Sequence, residues 1–491
     1  MGQILLSEAT EKALAGTEIA LIWGGMRENA RFSTLIGFLN PPLGRGFLHL
    51  CIFCCCVTTL SPALAEFGSI VDLGLAGDFY LTNESANNGQ GYVNLLVQNT
   101  WTDSQVWLDV GAGGLVGDTA SSFVKAPQFY YRQGSEEGVH FTIGRARQTW
   151  SSSDDFWNLG ITQPIFMWNQ AVPEQQGLTG VFVKIPVFEK KYSLTLFGSY
   201  LYIPSQGPTF EVSNGQLTSS NPWFSDPVQV INLSGQEIDL NYSLNIPPIQ
   251  DIVFRPSIGF QFGTEVNKKD FTLNAFYLNK PRNELLLPFE GFLNLSTFNG
   301  DITVLPRVAR HEVMGIDLGW NFSRAKTELS WIRESSAFYQ APQDSTYPVM
   351  PEQNIFSVQQ LFRLTPTQRL IFGYIKVDRR PTALGGVFAN SDISTFQNRN
   401  RFEEAMRLEW QGLLLKKLSQ YRLRSTFSYN QSLIRDHVWL SADVNWSVYK
   451  GIELFTRCDI FGGSGDQIVN LDLMSAYQNN DRCLVGGHYA F

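Results

Sequence analysis

From residue 402 to residue 491 apolar and polar side chains alternate with a period of two, segment after segment, and this alternation restricts the fold more than any other feature. Successive side chains of an extended strand point to opposite faces, so each such segment acquires one apolar and one polar side. In 452–460, Ile452, Leu454, Thr456, Cys458 and Ile460 share one face, while Glu453, Phe455, Arg457 and Asp459 share the other. In 438–448 the apolar side is Val438, Leu440, Ala442, Val444, Trp446 and Val448, against Trp439, Ser441, Asp443, Asn445 and Ser447. Stretch 421–429 sets Tyr421, Leu423, Phe427 and Tyr429 against Arg422, Arg424, Thr426 and Ser428, and 402–410 sets Phe402, Met406, Leu408 and Trp410 against Glu403, Arg407 and Glu409. Segments 314–322 and 238–246 alternate in the same way, the second with Glu237, Asp239, Asn241 and Ser243 on its polar side. Soluble sheets also alternate. Here, however, several charges fall on the polar face of adjacent strands, which suits a barrel with apolar residues against lipid and charges in a wet lumen.

The connections point the same way. With the last strand ending at the periplasmic side, the turns at 449–451, 365–367, 323–324, 247–251, 188–191, 134–137 and 100–103 are short and periplasmic. The alternate connections (82–90, 115–125, 148–177, 204–234, 335–353, 379–400 and 462–481) are long and polar. Outer-membrane barrels show this asymmetry, with long loops outside the cell. Aromatic residues gather at the inferred periplasmic strand ends, Trp410, Tyr421, Trp446, Tyr489 and Phe491, as an interfacial girdle requires. The final segment places Phe491, Tyr489, Gly487, Val485 and Cys483 on one face, and Ala490, His488, Gly486 and Leu484 on the other. It resembles the C-terminal signature of bacterial outer-membrane β-barrels, and the resemblance implies that Phe491 contributes to recognition by the barrel-assembly machinery. The expected fold is therefore all-β, a single antiparallel up-and-down transmembrane barrel of about 18–20 strands. About 19 segments read as strands, and parity adds a weak one at 284–289 within the least regular stretch, 281–310.

Composition agrees. Aromatic residues make up 13% of the chain, charged residues 17%, and mean hydropathy is −0.10. Arg27, Arg31 and Arg45 precede an apolar run, 47–60, too short to span a bilayer as a helix, and Ala63-Leu64-Ala65 follows it. Residues 1–65 are thus expected to be a signal region removed on export, with Met26 an alternative start, leaving 66–491 as the barrel. Four of the six cysteines fall in the removed part; Cys458 and Cys483 remain, either bridged or as two free lipid-facing thiols. A formal net charge of −8 and the absence of a basic block argue against nucleic-acid binding.

A wide barrel with no plug ahead of its first strand can be obstructed only by its loops. The most distinctive loop follows Gly144-Arg145-Ala146-Arg147 and carries Trp150, Asp154, Asp155, Trp157 and Trp168 before a Gly-rich return. Three tryptophans are unfavourable in water, so the loop folds into the mouth or packs on its own rim. Arg145 and Arg147 continue the apolar parity of Phe141 and Ile143, so they are expected to point outward, toward lipopolysaccharide phosphates, unless a bulge at Gly144 turns them inward. This strand end, acidic aromatic loop and Gly-rich return look broadly like solute-specific porins and alginate-export-type barrels. For porins the resemblance implies small hydrophilic solutes as cargo, and a homotrimer as one assembly.

The lumen residues that would set ion selectivity are Arg407, Glu409, Arg422, Arg424, Asp443, Asn445, Glu453, Arg457 and Asp459, although mixed charges also pair and stiffen a wall. His140, His311, His437 and His488 lack the His…Asn-Gly-Arg…Ser context of outer-membrane phospholipases, so the chain reads as a non-enzyme. No metal or cofactor motif is present. The expected function is a channel for small solutes or ions; the alternative is a structural or adhesive surface barrel with a closed lumen.

Overall fold

The computed structural model describes Ser69 to Ala490 except 81–87, 101–103, 117, 119–120, 136–137, 189–190, 225–226, 228, 234, 265–269, 288, 295, 337–351, 380–401, 414–421, 434–436, 450 and 464–479. The expected signal region at 1–65, Tyr421 and Phe491 lie outside the described residues. Eighteen strands form one sheet. They are β1 (Ser69–Tyr80), β2 (Asn88–Thr100), β3 (Ser104–Leu115), β4 (Ser122–Gln133), β5 (His140–Ala146) and β6 (Leu178–Val187). There follow β7 (Tyr192–Leu201), β8 (Phe254–Thr264), β9 (Phe271–Pro281), β10 (Arg310–Asn321), β11 (Ala325–Ser336) and β12 (Gln353–Thr365). The last six are β13 (Gln368–Arg379), β14 (Glu404–Leu413), β15 (Arg422–Ser432), β16 (His437–Tyr449), β17 (Ile452–Gly463) and β18 (Arg482–Ala490).

Each strand pairs antiparallel with its successor, and β18 pairs with β1 from Asp72↔Ala490 to Tyr80↔Arg482, which closes the barrel and leaves no edge. Closure with only antiparallel neighbours demands an even number of strands. Leu75, Ile143, Phe260, Ile316, Leu408, Leu440, Leu454 and Val485 are all more than a third exposed. In a water-soluble protein so many exposed large apolar side chains would be unstable; here they form the outer belt that faces hydrocarbon. Trp446 and Tyr489 are exposed on that surface near the short-turn end, and Trp410 packs there 5.7 Å from Phe427. No described helix is long and apolar enough to cross a membrane.

Three expectations are corrected. Segment 238–246 is not part of the wall. Gln236–Leu244 belongs to a four-stranded sheet, with Val230–Leu233, Asn299–Val304 and Phe289–Asn294, built from the β7–β8 and β9–β10 connections. Its alternation buries Ile238, Leu240 and Tyr242 against Leu217, Ile302 and Val304, and turns Glu237, Asp239, Asn241 and Ser243 to solvent. For the same reason 247–251 is not a periplasmic turn; it lies within the long connection that enters helix α1 (Ile249–Val253) and then β8. No wall strand occupies 284–289: Leu286 makes a single bridge to Arg307, and the hairpin beyond it joins the surface sheet. Cys458 and Cys483, left open by the sequence, are cross-strand partners on β17 and β18 and form a disulfide.

Candidate functional site

The β5–β6 connection, 147–177, decides the shape of the lumen. It folds inward and crosses to the opposite wall. Gly144 makes this possible: its φ of +125° is open to glycine at little cost, and it rotates the strand end that follows. Arg145 is consequently 2% exposed, its Nε donating to the Gly177 carbonyl (2.9 Å) and its Nη2 to Gln176 Oε1 (2.7 Å). Arg147 is exposed and reaches Gln175 Oε1 at 3.5 Å. The outward orientation expected for both arginines is therefore wrong, because the glycine breaks the parity on which it was based.

Beyond Arg147 the loop forms a short helix, here termed the loop helix (Ser152–Trp157). Ser151 caps it, its Oγ accepting from the Ser153 amide, and Asn158 ends it in the left-handed region. Asp154 is fully buried, and it accepts from the amides of Ile161 (3.1 Å) and Thr162 (2.8 Å) and from the Thr162 hydroxyl. It staples the returning chain to the helix. Asp155 stands one position on. Burial first, and then the neighbouring Asp154 carboxylate, raise its pKa to about 6, opposed by Gln175, Thr149 and Arg147.

The far wall receives the helix through a set of lumen-facing polar side chains. Asp317 on β10 accepts from Ser151 Oγ (2.9 Å), the Ser152 amide (3.0 Å) and Asn274 Nδ2 (3.0 Å). Gln261 on β8 donates to the Thr149 carbonyl at 2.6 Å, and Asn274 on β9 to the Trp150 carbonyl at 2.5 Å. Ser152 Oγ lies 3.2 Å from Ser330 Oγ of β11, and Trp157 Nε1 donates to Ser357 Oγ of β12 at 3.1 Å. Trp150 is fully buried between the rings of Phe197 and Phe276. Gly373 on β13 leaves room for the Phe156 ring, which a Cβ would meet at 2.6 Å. The second half of the loop turns to the other walls. Trp168 is 5.0 Å from the Phe123 ring of β4, Glu174 Oε2 is 2.5 Å from Lys125 Nζ, and Arg457 Nη2 donates to the Ala171 carbonyl at 3.0 Å.

The lumen candidates fall into two groups. Arg407 and Glu409 on β14 pair with each other, and Arg407 Nη1 also donates to the Phe156 carbonyl (3.0 Å) while its guanidinium sits 4.7 Å above the Phe156 ring. Glu409 is 3% exposed, and Asp459, fully buried, accepts from Arg457 Nε (2.9 Å) and Trp439 Nε1 (3.2 Å). These residues are bound into the wall or hold the loop. Asp443, Asn445 and Glu453 stay partly exposed and Arg424 is exposed, on the lumen face of β15–β17. Asp443 lies opposite Arg457 and accepts from Asn445; Arg422 is the first residue of β15, opposite Ser447. Sequence reasoning missed Asp317 as the anchor. It also missed Arg482, buried and 3.1 Å from Asn169 Oδ1, and His488, whose Nδ1 lies 2.7 Å from Asp72 Oδ1 across the closing seam. Alternation gave the face of each of these residues, but no local signal named their partners.

No protein-family model matches the chain, and no curated protein is similar to it in sequence. Among solved structures it is similar to OccAB1 of Acinetobacter baumannii, with 9% identity over 86% of this chain and 95% of that one and a TM-score of 0.45. It is also similar to OccK11 of Pseudomonas aeruginosa, with 10% identity over 86% and 94% and a TM-score of 0.43. A mutant of the Rhodopseudomonas blastica porin gives 10% identity over 86% and 98%, with a TM-score of 0.36. At these levels the assignment rests on the chain's own closed sheet: a porin-like, 18-strand outer-membrane barrel with an inward-folded loop.

Proposed function

We propose that the chain is an outer-membrane channel for passive diffusion of small hydrophilic solutes or ions, with no chemical step. One observation carries this reading. The 147–177 loop is anchored across the lumen by Asp317, while charged side chains on the β15–β17 face beside it remain accessible to water. An anchored constriction bordered by wet charges sets the size and charge of what passes; a closed structural barrel needs neither. Asp443, Asn445, Glu453 and Arg424, with Arg147 and Asp155 on the loop, are the residues we assign to selectivity. Arg407, Glu409, Arg457 and Asp459 hold the loop and wall in place.

Export through a signal region at 1–65, insertion by the barrel-assembly machinery, contact with outer-membrane lipid and lipopolysaccharide, and assembly as a homotrimer complete the reading. Planar-bilayer recording tests it. Purified protein should give discrete, solute-blockable openings; insertion without conductance would favour the structural or adhesive barrel.

A further inference from the structure

We propose that the short-turn mouth of the barrel holds an oxyanion site built on Arg363 and Arg369, which takes phosphate, sulfate or carboxylate groups on the periplasmic side of the constriction. The proposal rests on the channel reading and adds to it the charge class of a solute that the channel retains.

Arg363 on β12 and Arg369 on β13 are direct cross-strand partners, and both are exposed. Their face is the lumen. Gln359, four positions before Arg363 and so on the same side, donates to the Ser152 carbonyl of the inward loop at 3.3 Å. The residues flanking Arg363, Phe362 and Leu364, are 43% and 52% exposed on the belt. Arg369 Nε donates to Gln411 Oε1 on β14, and Gln411 in turn donates to Glu409.

Like charges directly opposite each other on a sheet are destabilising. Among the described residues no carboxylate pairs with either arginine. Glu409 is engaged by Arg407 and Gln411, and Glu328 is 2.6 Å from Lys326. No described residue donates to or accepts from Arg363 through its side chain. Arg424, exposed on the same face of β15, adds a third guanidinium to this rim. Two opposed guanidinium groups present paired N–H donors that match the oxygens of a tetrahedral or planar oxyanion, and a bound anion removes their repulsion. Chloride offers charge without that geometry. Because the site is open to water it binds weakly, as a channel must if solute is to leave it.

The test uses the full chain in detergent. Thermal unfolding is followed at constant ionic strength in sodium chloride, phosphate, sulfate and succinate. For the natural protein the oxyanion salts should raise the unfolding midpoint above that in chloride. The Arg363→Gln/Arg369→Gln double variant should lose that rise, yet unfold at a higher midpoint than the natural protein in chloride, because the repulsion is gone. Arg369→Lys keeps the charge without the fork and should reduce the oxyanion effect. In bilayers, phosphate on the short-turn side should shorten openings of the natural channel and leave those of the double variant unchanged. An equal oxyanion effect in natural and double-variant protein, or none in either, overturns the site. Anion-dependent stabilisation in a protein that never conducts would keep the site and refute the channel; conductance with no anion effect would do the reverse.

Discussion

Replacing Asp317 by Ala should free the loop helix from the far wall. Asp317 is 7% exposed and makes two bonds to the loop, from Ser151 Oγ and the Ser152 amide. Hydrogen bonds to a charged acceptor contribute roughly 1.5–3 kcal/mol each, so the gross loss is about 3–6 kcal/mol. Removing a buried carboxylate also removes its desolvation cost, which places the net effect near the lower bound, about 3 kcal/mol, or roughly a hundredfold in the local opening equilibrium. The barrel itself should persist, because the strand pairings on either side of β10 do not involve the Asp317 side chain. Trp150 packing and the Arg407 and Ser357 contacts still tether the loop, so it should flicker rather than leave the lumen. Hydrogen exchange followed by mass spectrometry gives the magnitude: peptides covering 148–159 should lose protection by roughly a hundredfold, while β16–β18 peptides stay unchanged. Single-channel records should show added open-state noise. Asp317→Asn, which keeps one acceptor oxygen, should fall between the two. Unchanged protection of 148–159 in Asp317→Ala would refute the assignment of Asp317 as the anchor.

Val444 faces the belt and Asp443 the lumen, so Val444→Arg should lower stability by roughly 2–4 kcal/mol, whereas Asp443→Arg should leave a folded barrel whose reversal potential moves toward anions; equal losses of heat-modifiable folded protein would show the faces to be misassigned. Asp155, with its pKa raised to about 6, is neutral below that pH and charged above it. Because the folded state holds this proton more tightly than the unfolded chain, whose carboxyl titrates near 3.8, Asp155 favours the docked loop at low pH, and that contribution fades as pH rises through about 6. Cation preference should accordingly increase between about pH 5 and about pH 7; an identical profile in Asp155→Asn would assign the titration elsewhere. Deleting Phe491 should reduce the yield of folded barrel in the outer membrane, read by heat-modifiable gel migration, and an unaltered yield would remove the residue from assembly.

Much of the barrel was legible because its signal is local. A strand's alternation is written residue by residue, and 438–460 shows the same faces in sequence and structure: Leu440 and Leu454 exposed on the belt, Asp443 and Arg457 opposed within. The same signal misled at 238–246, because alternation reports that one face is buried without saying whether lipid or another sheet buries it. Parity failed again at Arg145, where a positive φ at Gly144 alone reverses the direction of the side chain. The sequence by itself therefore determined most of the wall strands and their apolar exterior, consequences of a two-residue period; the even count follows from closing a sheet of antiparallel neighbours, which the β18–β1 pairing completes. Only the tertiary structure decided that the 147–177 loop enters the lumen and where it stops. The bonds that hold it, Ser151 to Asp317 and Trp157 to Ser357, join residues 166 and 200 positions apart, and no pattern along the chain records a contact of that range.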